Sequence, residues 1–308
     1  MNSDQASQPQ LLNLVRQRAA LLQAGTPTSA KDNPDSGNVE ELVHLTIELK
    51  SQLASSPMAV RGLRLDEPGD LIERLALSEP VHPFADTSPK DRQADLADRF
   101  AADRRCYVLE HPLLAGHPLN VVFVALLDCI PTAISQILNP SREVLDPSRA
   151  TTAVFYSIWN VEPGLSGIPG GGSLLTGALD LLRAEFPELK QLVTLSPIPG
   201  FRQWRSLEET TSDTPDELLR DCARYLCQFN SDGRPIDPVA RFHLGNGARL
   251  LRINSGADLC EERAAQSFSL MANYSYEPED RPANQAALRS GEIPMGEQVR
   301  QLLGPADS

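Results

Sequence analysis

The sequence predicts an α/β or α+β domain preceded by a small helical region, and three observations predict it. β-Branched and aromatic runs bounded by Pro, Gly and Asp begin near Arg105. Amphipathic segments then alternate with those runs, as in a layered α/β architecture. The first hundred residues carry helix-period patterns and no convincing strand. The expected division is a helical region over 1–103 and an α/β domain over 104–308.

Residues 11–23 (LLNLVRQRAALLQ) place Leu11, Leu14, Val15, Ala19 and Leu22 at helical spacing, and Gly25 with Pro27 ends the pattern. Residues 26–38, rich in Pro, Ser, Asp and Gly, read as a linker. Helices follow over 39–53, 70–77 and 89–101. This region could pack on the next domain or drive self-association into a homo-oligomer. CYVLE (106–110), NVVFVALL (120–127) and TAVFYSIW (152–159) are strands; a helix covers 174–186 and a strand 191–195. A helix over 216–229 and strands over 249–253 and 267–276 complete the order, without internal repeats.

The longest apolar run, 121–127, is far short of the roughly 20 residues needed to span a bilayer, so no membrane association is expected. The first ten residues resemble neither a secretory signal nor a transit peptide, which implies a cytoplasmic location. Cys106, Cys129, Cys222, Cys227 and Cys260 form no C-x-x-C pair, which argues for reduced, mostly buried thiols and against a disulfide framework or zinc site. A formal net charge of −13 opposes phosphate-backbone binding, so nucleic acid is not an expected partner. The basic clusters at Arg104-Arg105 and 202–205 read as solvated surface.

Three segments could carry chemistry. The first is the glycine-dense turn GLSGIPGGGS (164–173) between a strand and a helix. Amides at a helix N-terminus suit a phosphate, although the pattern is neither a Walker motif nor a dinucleotide fingerprint, and a merely flexible loop fits it equally. The second is TLSPIPGF (194–201), where two prolines and a glycine would display Ser196 stiffly; alternatively Ser196 hydrogen-bonds its own turn. The third is VARFHLGNGA (239–248), where His243 is either a satisfied core residue or a proton-transfer group. A Ser-His hydrolase is disfavoured, because Ser196 lies in no G-x-S-x-G elbow and no acidic third member is identifiable.

In order, RRCYVLEHP (104–112), PLNVVFVAL (118–126), TTAVFYSI (151–158), FPEL (186–189), TLSPIPGF (194–201), PVARFHLGNGARLLRIN (238–254) and LMANYSY (270–276) resemble the malonyl-CoA decarboxylase family. The resemblance implies a GNAT-like acyl-CoA-binding domain with a central mixed sheet behind a shortened helical region. It places a serine, a histidine and a tyrosine of the active site on Ser196, His243 and Tyr276. It places the CoA pyrophosphate on Ser166, Gly167, Ile168, Pro169, Gly170, Gly171 and Gly172, and implies no metal or separate cofactor, CoA being part of the substrate. The loop departs from the family pattern, with Gly170-Gly171-Gly172-Ser173 and Thr176 in place of a large apolar residue and a lysine. The implied activity is decarboxylation of malonyl-CoA to acetyl-CoA through an enolate. The alternatives are decarboxylation of a malonyl-acyl-carrier-protein, acyl transfer on the same fold, and noncatalytic acyl-CoA binding.

Overall fold

Helical periodicity and β-rich runs translate directly into most of the elements. The computed structural model describes residues 7–24, 36–67, 69–84, 88–168, 170–208 and 214–304. In chain order these form α1 (Gln8–Ala24), α2 (Ser36–Leu53), β1 (Ala59–Leu63), α3 (Leu71–Ser78), α4 (Pro89–Arg99), β2 (Arg104–Glu110), β3 (Asn120–Leu127), α5 (Ser135–Leu138) and β4 (Thr152–Asn160). There follow α6 (Gly171–Glu185), β5 (Gln191–Thr194), β6 (Ser196–Pro197), α7 (Phe201–Arg205), α8 (Pro215–Leu226), α9 (Pro238–Gly245), β7 (Arg249–Asn254), α10 (Glu261–Ser267), β8 (Met271–Ser275), α11 (Arg281–Arg289) and α12 (Glu297–Leu303).

The chain divides into two compact units, one made of Met1–Phe123 and Ser157–Glu185, the other of Val124–Tyr156 and Phe186–Ser308. Strands β3 and β4 each carry the chain from one unit into the other. In the first unit the strand order is β1-β2-β3, with β1 antiparallel to β2. Leu11 and Val15 of α1 and Leu45, Leu49 and Leu53 of α2 are buried there. The Arg18 guanidinium on α1 donates to Gly164 O at 2.6 Å and to Thr46 Oγ1 of α2 at 2.9 Å.

In the second unit the order is β4-β5-β8-β6, with β7 also paired to β8. β4 and β5 run parallel, while β8 is antiparallel to β5, β6 and β7, so this sheet is mixed. Strand β8 lies between the others, and Met271, Ala272, Asn273 and Tyr274 are all at most 1% exposed. A residue run buried on both faces must satisfy every polar group internally. Asn273 does so by donating to Thr194 O at 2.6 Å while accepting from Arg252 and Asn254, each at 2.8 Å.

Several expectations need correction. The first hundred residues do contain a strand, β1, whose side chains are mostly exposed or half-buried. Such an edge strand has no hydrophobic alternation to read, and its pairing with β2 creates it. Of the expected linker over 26–38, residues 26–35 lie outside those described, and Ser36, Gly37 and Asn38 already belong to α2. The expected strand over 267–276 starts only at Met271, because Phe268 and Ser269 take φ values of 54° and 62° at the end of α10 and break the extended run.

The basic clusters are not simply solvated. Arg104 is buried 3.2 Å from Asp103, and Arg205 is buried 2.9 Å from Asp221, since a guanidinium enters a core only with a partner. All five cysteines are free, but Cys129 and Cys260 are exposed and Cys227 is half-buried, so only Cys106 and Cys222 meet the expectation of burial. No described helix is long and apolar enough to cross a membrane.

Candidate active site

Ser196 comes from β6, His243 from α9 and Tyr276 from the position just after β8, and all three lie in the second unit. In the ladder Ser196 stands opposite Ala272, so its side chain shares a face of the sheet with Tyr274 and Tyr276. The two-residue strand β6 thereby answers the ambiguity of the TLSPIPGF segment. Instead of closing its own turn, Ser196 places its hydroxyl oxygen 3.0 Å from His243 Nε2 and 2.9 Å from Thr194 Oγ1.

Helix α9 was not evident in the sequence, where His243 reads as standing before a Gly-Asn-Gly turn, yet its start signal is strong. Asp237 accepts from the Val239 and Ala240 amides at 2.9 and 2.8 Å, and Pro238 occupies the first turn, where no amide is needed. Burial pushes the Asp237 carboxyl up, against the lowering effect of those amides and of the Tyr225 hydroxyl, which donates to it at 3.1 Å. That last bond ties α8 to the cap of the helix that carries His243. At the other end Gly247, with φ of 87°, makes the left-handed turn that leads into β7.

Tyr225 also explains Gly200. The glycine has an ordinary φ of −95°, but a Cβ there would run into the Tyr225 hydroxyl. Close approach, not backbone conformation, requires the glycine.

His243 is 3% exposed, stacks on Tyr274 and meets the edge of Phe242. Its Nδ1 lies 2.8 Å from the Tyr276 hydroxyl. Tyr276 is held by its own amide, which donates to Leu192 O at 2.8 Å, and by edge contact with Phe155. Desolvation is the one cause that shifts the imidazole pKa, and it lowers it to about 3. His243 is therefore neutral at pH 7. Burial likewise pushes the Tyr276 phenol well above its ordinary range, so the phenol is protonated.

The arrangement is a chain of neutral groups, Thr194, Ser196, His243 and Tyr276, with a phenol at the position where a hydrolytic triad would put a carboxylate. A triad carboxylate stabilises an imidazolium as the serine loses its proton. A buried neutral phenol does so far less. The geometry can orient and relay protons beside an acyl group without first charging the imidazole.

Of these residues, Thr194 and Tyr274 were not assigned roles from sequence, although Thr194 and Ser196 are two apart and so share a strand face. Thr194 is fully buried, and its Oγ1 accepts from the Tyr274 amide at 3.1 Å.

The glycine-dense segment belongs to the first unit. Ser166 and Gly167 are exposed, Gly167 has φ of 73°, and Ile168 is buried. Pro169 lies outside the described residues. Gly170 is buried, and a Cβ there would come within 2.6 Å of Asn120 Oδ1. Gly171 and Gly172 form the first turn of α6, so that helix begins three residues earlier than expected and the segment is not a loop throughout. The first-turn amides face out of the helix start, where its dipole favours an anion. Among the described residues, no three His, Cys, Asp or Glu side chains cluster in a way that could hold a metal ion.

The family model described as the malonyl-CoA decarboxylase C-terminal domain matches residues 58–221 and 205–308. The mitochondrial malonyl-CoA decarboxylase of Anser anser anser is 30% identical over 93% of this chain. The chain spans 65% of that relative's own length, just under two thirds. The crystal structure of malonyl-CoA decarboxylase from Agrobacterium vitis superposes with a TM-score of 0.84 at 33% identity, covering 96% of this chain and 79% of that one. The loading GNATL domain of CurA from Lyngbya majuscula gives a TM-score of 0.50 at 17% identity, covering 73% of this chain and all of that domain, which shows a GNAT-like fold and nothing more.

Proposed function

This chain belongs to the malonyl-CoA decarboxylase family, and from that premise we propose that it converts malonyl-CoA to acetyl-CoA and carbon dioxide at Ser196, His243 and Tyr276. The observation that carries the reading is the continuous buried contact from Ser196 through His243 to Tyr276, at 3.0 and 2.8 Å.

In the reaction, the bond between the α-carbon and the free carboxylate breaks and leaves its electron pair on the α-carbon. That pair delocalises into the thioester carbonyl as an enolate, and a proton then adds to the α-carbon to give the acetyl thioester. Donors preplaced toward the developing oxyanion lower the barrier, because they need not reorganise as charge appears. The hydroxyls of Ser196 and Tyr276 supply such donors, with His243 hydrogen-bonded between them. Ser196 positions the malonyl carboxylate, Tyr276 serves the thioester oxygen, and His243, hydrogen-bonded to both, passes the incoming proton between them. Burial of the trio favours loss of the carboxylate, whose charge is poorly hydrated there.

The start of α6, from Gly170 onward, takes the phosphate-binding role that its free-facing amides suit. Homo-oligomer formation and a carrier-protein thioester as substrate stay outside this reading.

The test is incubation of the purified protein with malonyl-CoA and mass analysis of the thioester. Acetyl-CoA should form with the wild type and fall by two or more orders of magnitude, on the order expected for loss of acid–base function, in His243→Ala and Ser196→Ala. Malonyl-CoA left intact by the wild type sinks the reading.

A further inference from the structure

We propose that Thr194 sets the direction of the hydrogen-bond chain. His243 then carries its proton on Nδ1 and keeps a lone pair on Nε2 toward Ser196, and the Tyr276 hydroxyl hydrogen is left for the substrate. The inference deepens the reading of this trio as the reacting site and rests on it for its catalytic meaning.

The argument is a count of donors and acceptors. Thr194 Oγ1 already accepts the Tyr274 amide at 3.1 Å, and an amide N–H can only donate. The Thr194 side chain is completely buried, and among the described residues the one acceptor in reach of its hydroxyl hydrogen is Ser196 Oγ at 2.9 Å. Were Ser196 to donate to Thr194 instead, the Thr194 hydrogen would sit in the core without an acceptor. A buried unsatisfied donor is among the costliest defects a core can hold.

With Thr194 donating, Ser196 keeps a hydrogen whose one acceptor in reach among the described residues is His243 Nε2, and the proposed order uses it there; a Nε2–H donating to Ser196 instead would leave that hydrogen unpaired. Ser196 has accepted from Thr194 and donates across 3.0 Å to His243 Nε2. A neutral imidazole has one N–H, which must then be on Nδ1, and it donates across 2.8 Å to the Tyr276 oxygen. Burial keeps the imidazole neutral, so the second N–H that would blur this order is absent. The hydrogen left over is the phenolic one of Tyr276, at 5% exposure and just after β8.

Two consequences follow for an acyl ligand. The Tyr276 O–H is the donor ready for a developing enolate oxygen. The Ser196 hydrogen can turn from Nε2 to a substrate carboxylate, because Thr194 continues to hold the Ser196 oxygen in place. Thr194 is in this sense a positioning residue, acting through Ser196.

The test is two-bond 1H–15N correlation of histidine-labelled protein at pH 7, with His243 assigned by comparison with His243→Gln. Wild type and Thr194→Ser should both show a protonated Nδ1 and a bare Nε2. Thr194→Val should shift the population toward a protonated Nε2, and its kcat should fall by roughly tenfold, less than the ~10²-fold or more expected for loss of an acid–base group itself because Thr194 acts through Ser196, with KM little changed. A wild-type spectrum with the proton on Nε2 overturns the proposal, as does a Thr194→Val protein whose tautomer and kcat both match the wild type. If the valine variant does not fold, the wild-type and serine-variant spectra still decide. The spectrum needs no turnover, so failure of the decarboxylase reading shows separately, as absent acetyl-CoA.

Discussion

The His243 imidazole stacks on the Tyr274 ring with centroids 4.6 Å apart and planes 27° from parallel. This contact closes one side of the histidine to water, and among the described residues no carboxylate compensates for the lost hydration. The imidazole is therefore held neutral by its surroundings, which has a measurable thermodynamic consequence.

Because the folded pKa of about 3 lies below the unfolded value near 6.5, the unfolded chain binds a proton that the folded chain refuses between those limits. The contribution of this group is fully present above pH 6.5 and is lost as pH falls toward 3, with a limiting slope of about 1.4 kcal/mol per pH unit. Urea midpoints should fall from pH 7 to pH 4, and less steeply in His243→Gln. An equal slope in both proteins would assign the acid sensitivity to other groups. For the same reason kcat/KM, which reports free-enzyme ionisations, should show no inflection near 6.5 from His243.

Tyr276→Phe removes one hydroxyl and keeps the ring against Phe155. It should cost about 1–3 kcal/mol of stability, because the His243 Nδ1 hydrogen loses its acceptor, and kcat should drop by about 10²-fold, the usual effect of deleting one oxyanion donor. Steady-state kinetics on malonyl-CoA checks this, and a change confined to KM would remove the phenol from the chemical step.

Gly200→Ala would force a methyl against the Tyr225 hydroxyl. The expected cost is about 1–3 kcal/mol, as for other overpacked sites. Adding Tyr225→Phe removes the clashing oxygen, so the double variant should recover part of that loss relative to the sum of the single changes. Strict additivity in urea denaturation would show that the two residues do not meet.

Asp237→Ala deletes the cap of α9 and leaves the Tyr225 hydroxyl without its acceptor. Loss of the cap alone should cost about 1–2 kcal/mol, whereas Asp237→Asn, which still caps, should stay within about 0.5 kcal/mol of the wild type. Activity should track the loss, since α9 carries His243. An alanine variant of wild-type stability would contradict the assigned cap.

Much of the fold was legible along the chain because the elements have local signatures. The run NVVFVALL declares β3, and the spacing of Leu11, Val15 and their neighbours declares α1. β1 was not legible, because most of its side chains are exposed or half-buried and only its partner strand gives it a place. Helix α9 could have been found from Asp237-Pro238, whose cap and first-turn proline mark a start, but the short segment also satisfies a loop. The early start of α6 was hidden by its glycines, which disfavour a helix interior yet tolerate a first turn.

By itself the sequence determined the order of elements, the ordered segments that place the chain in its family, and the three residues singled out by that resemblance. Tertiary structure decided that β6 pairs with β8 and that α9 is capped and braced, which brings Ser196, His243 and Tyr276 within hydrogen-bond reach. It also decided the neutral state of His243 and the place of Thr194 beside Ser196. Those properties depend on desolvation and on the pairing of groups distant along the chain, and neither is a property of a residue and its immediate neighbours.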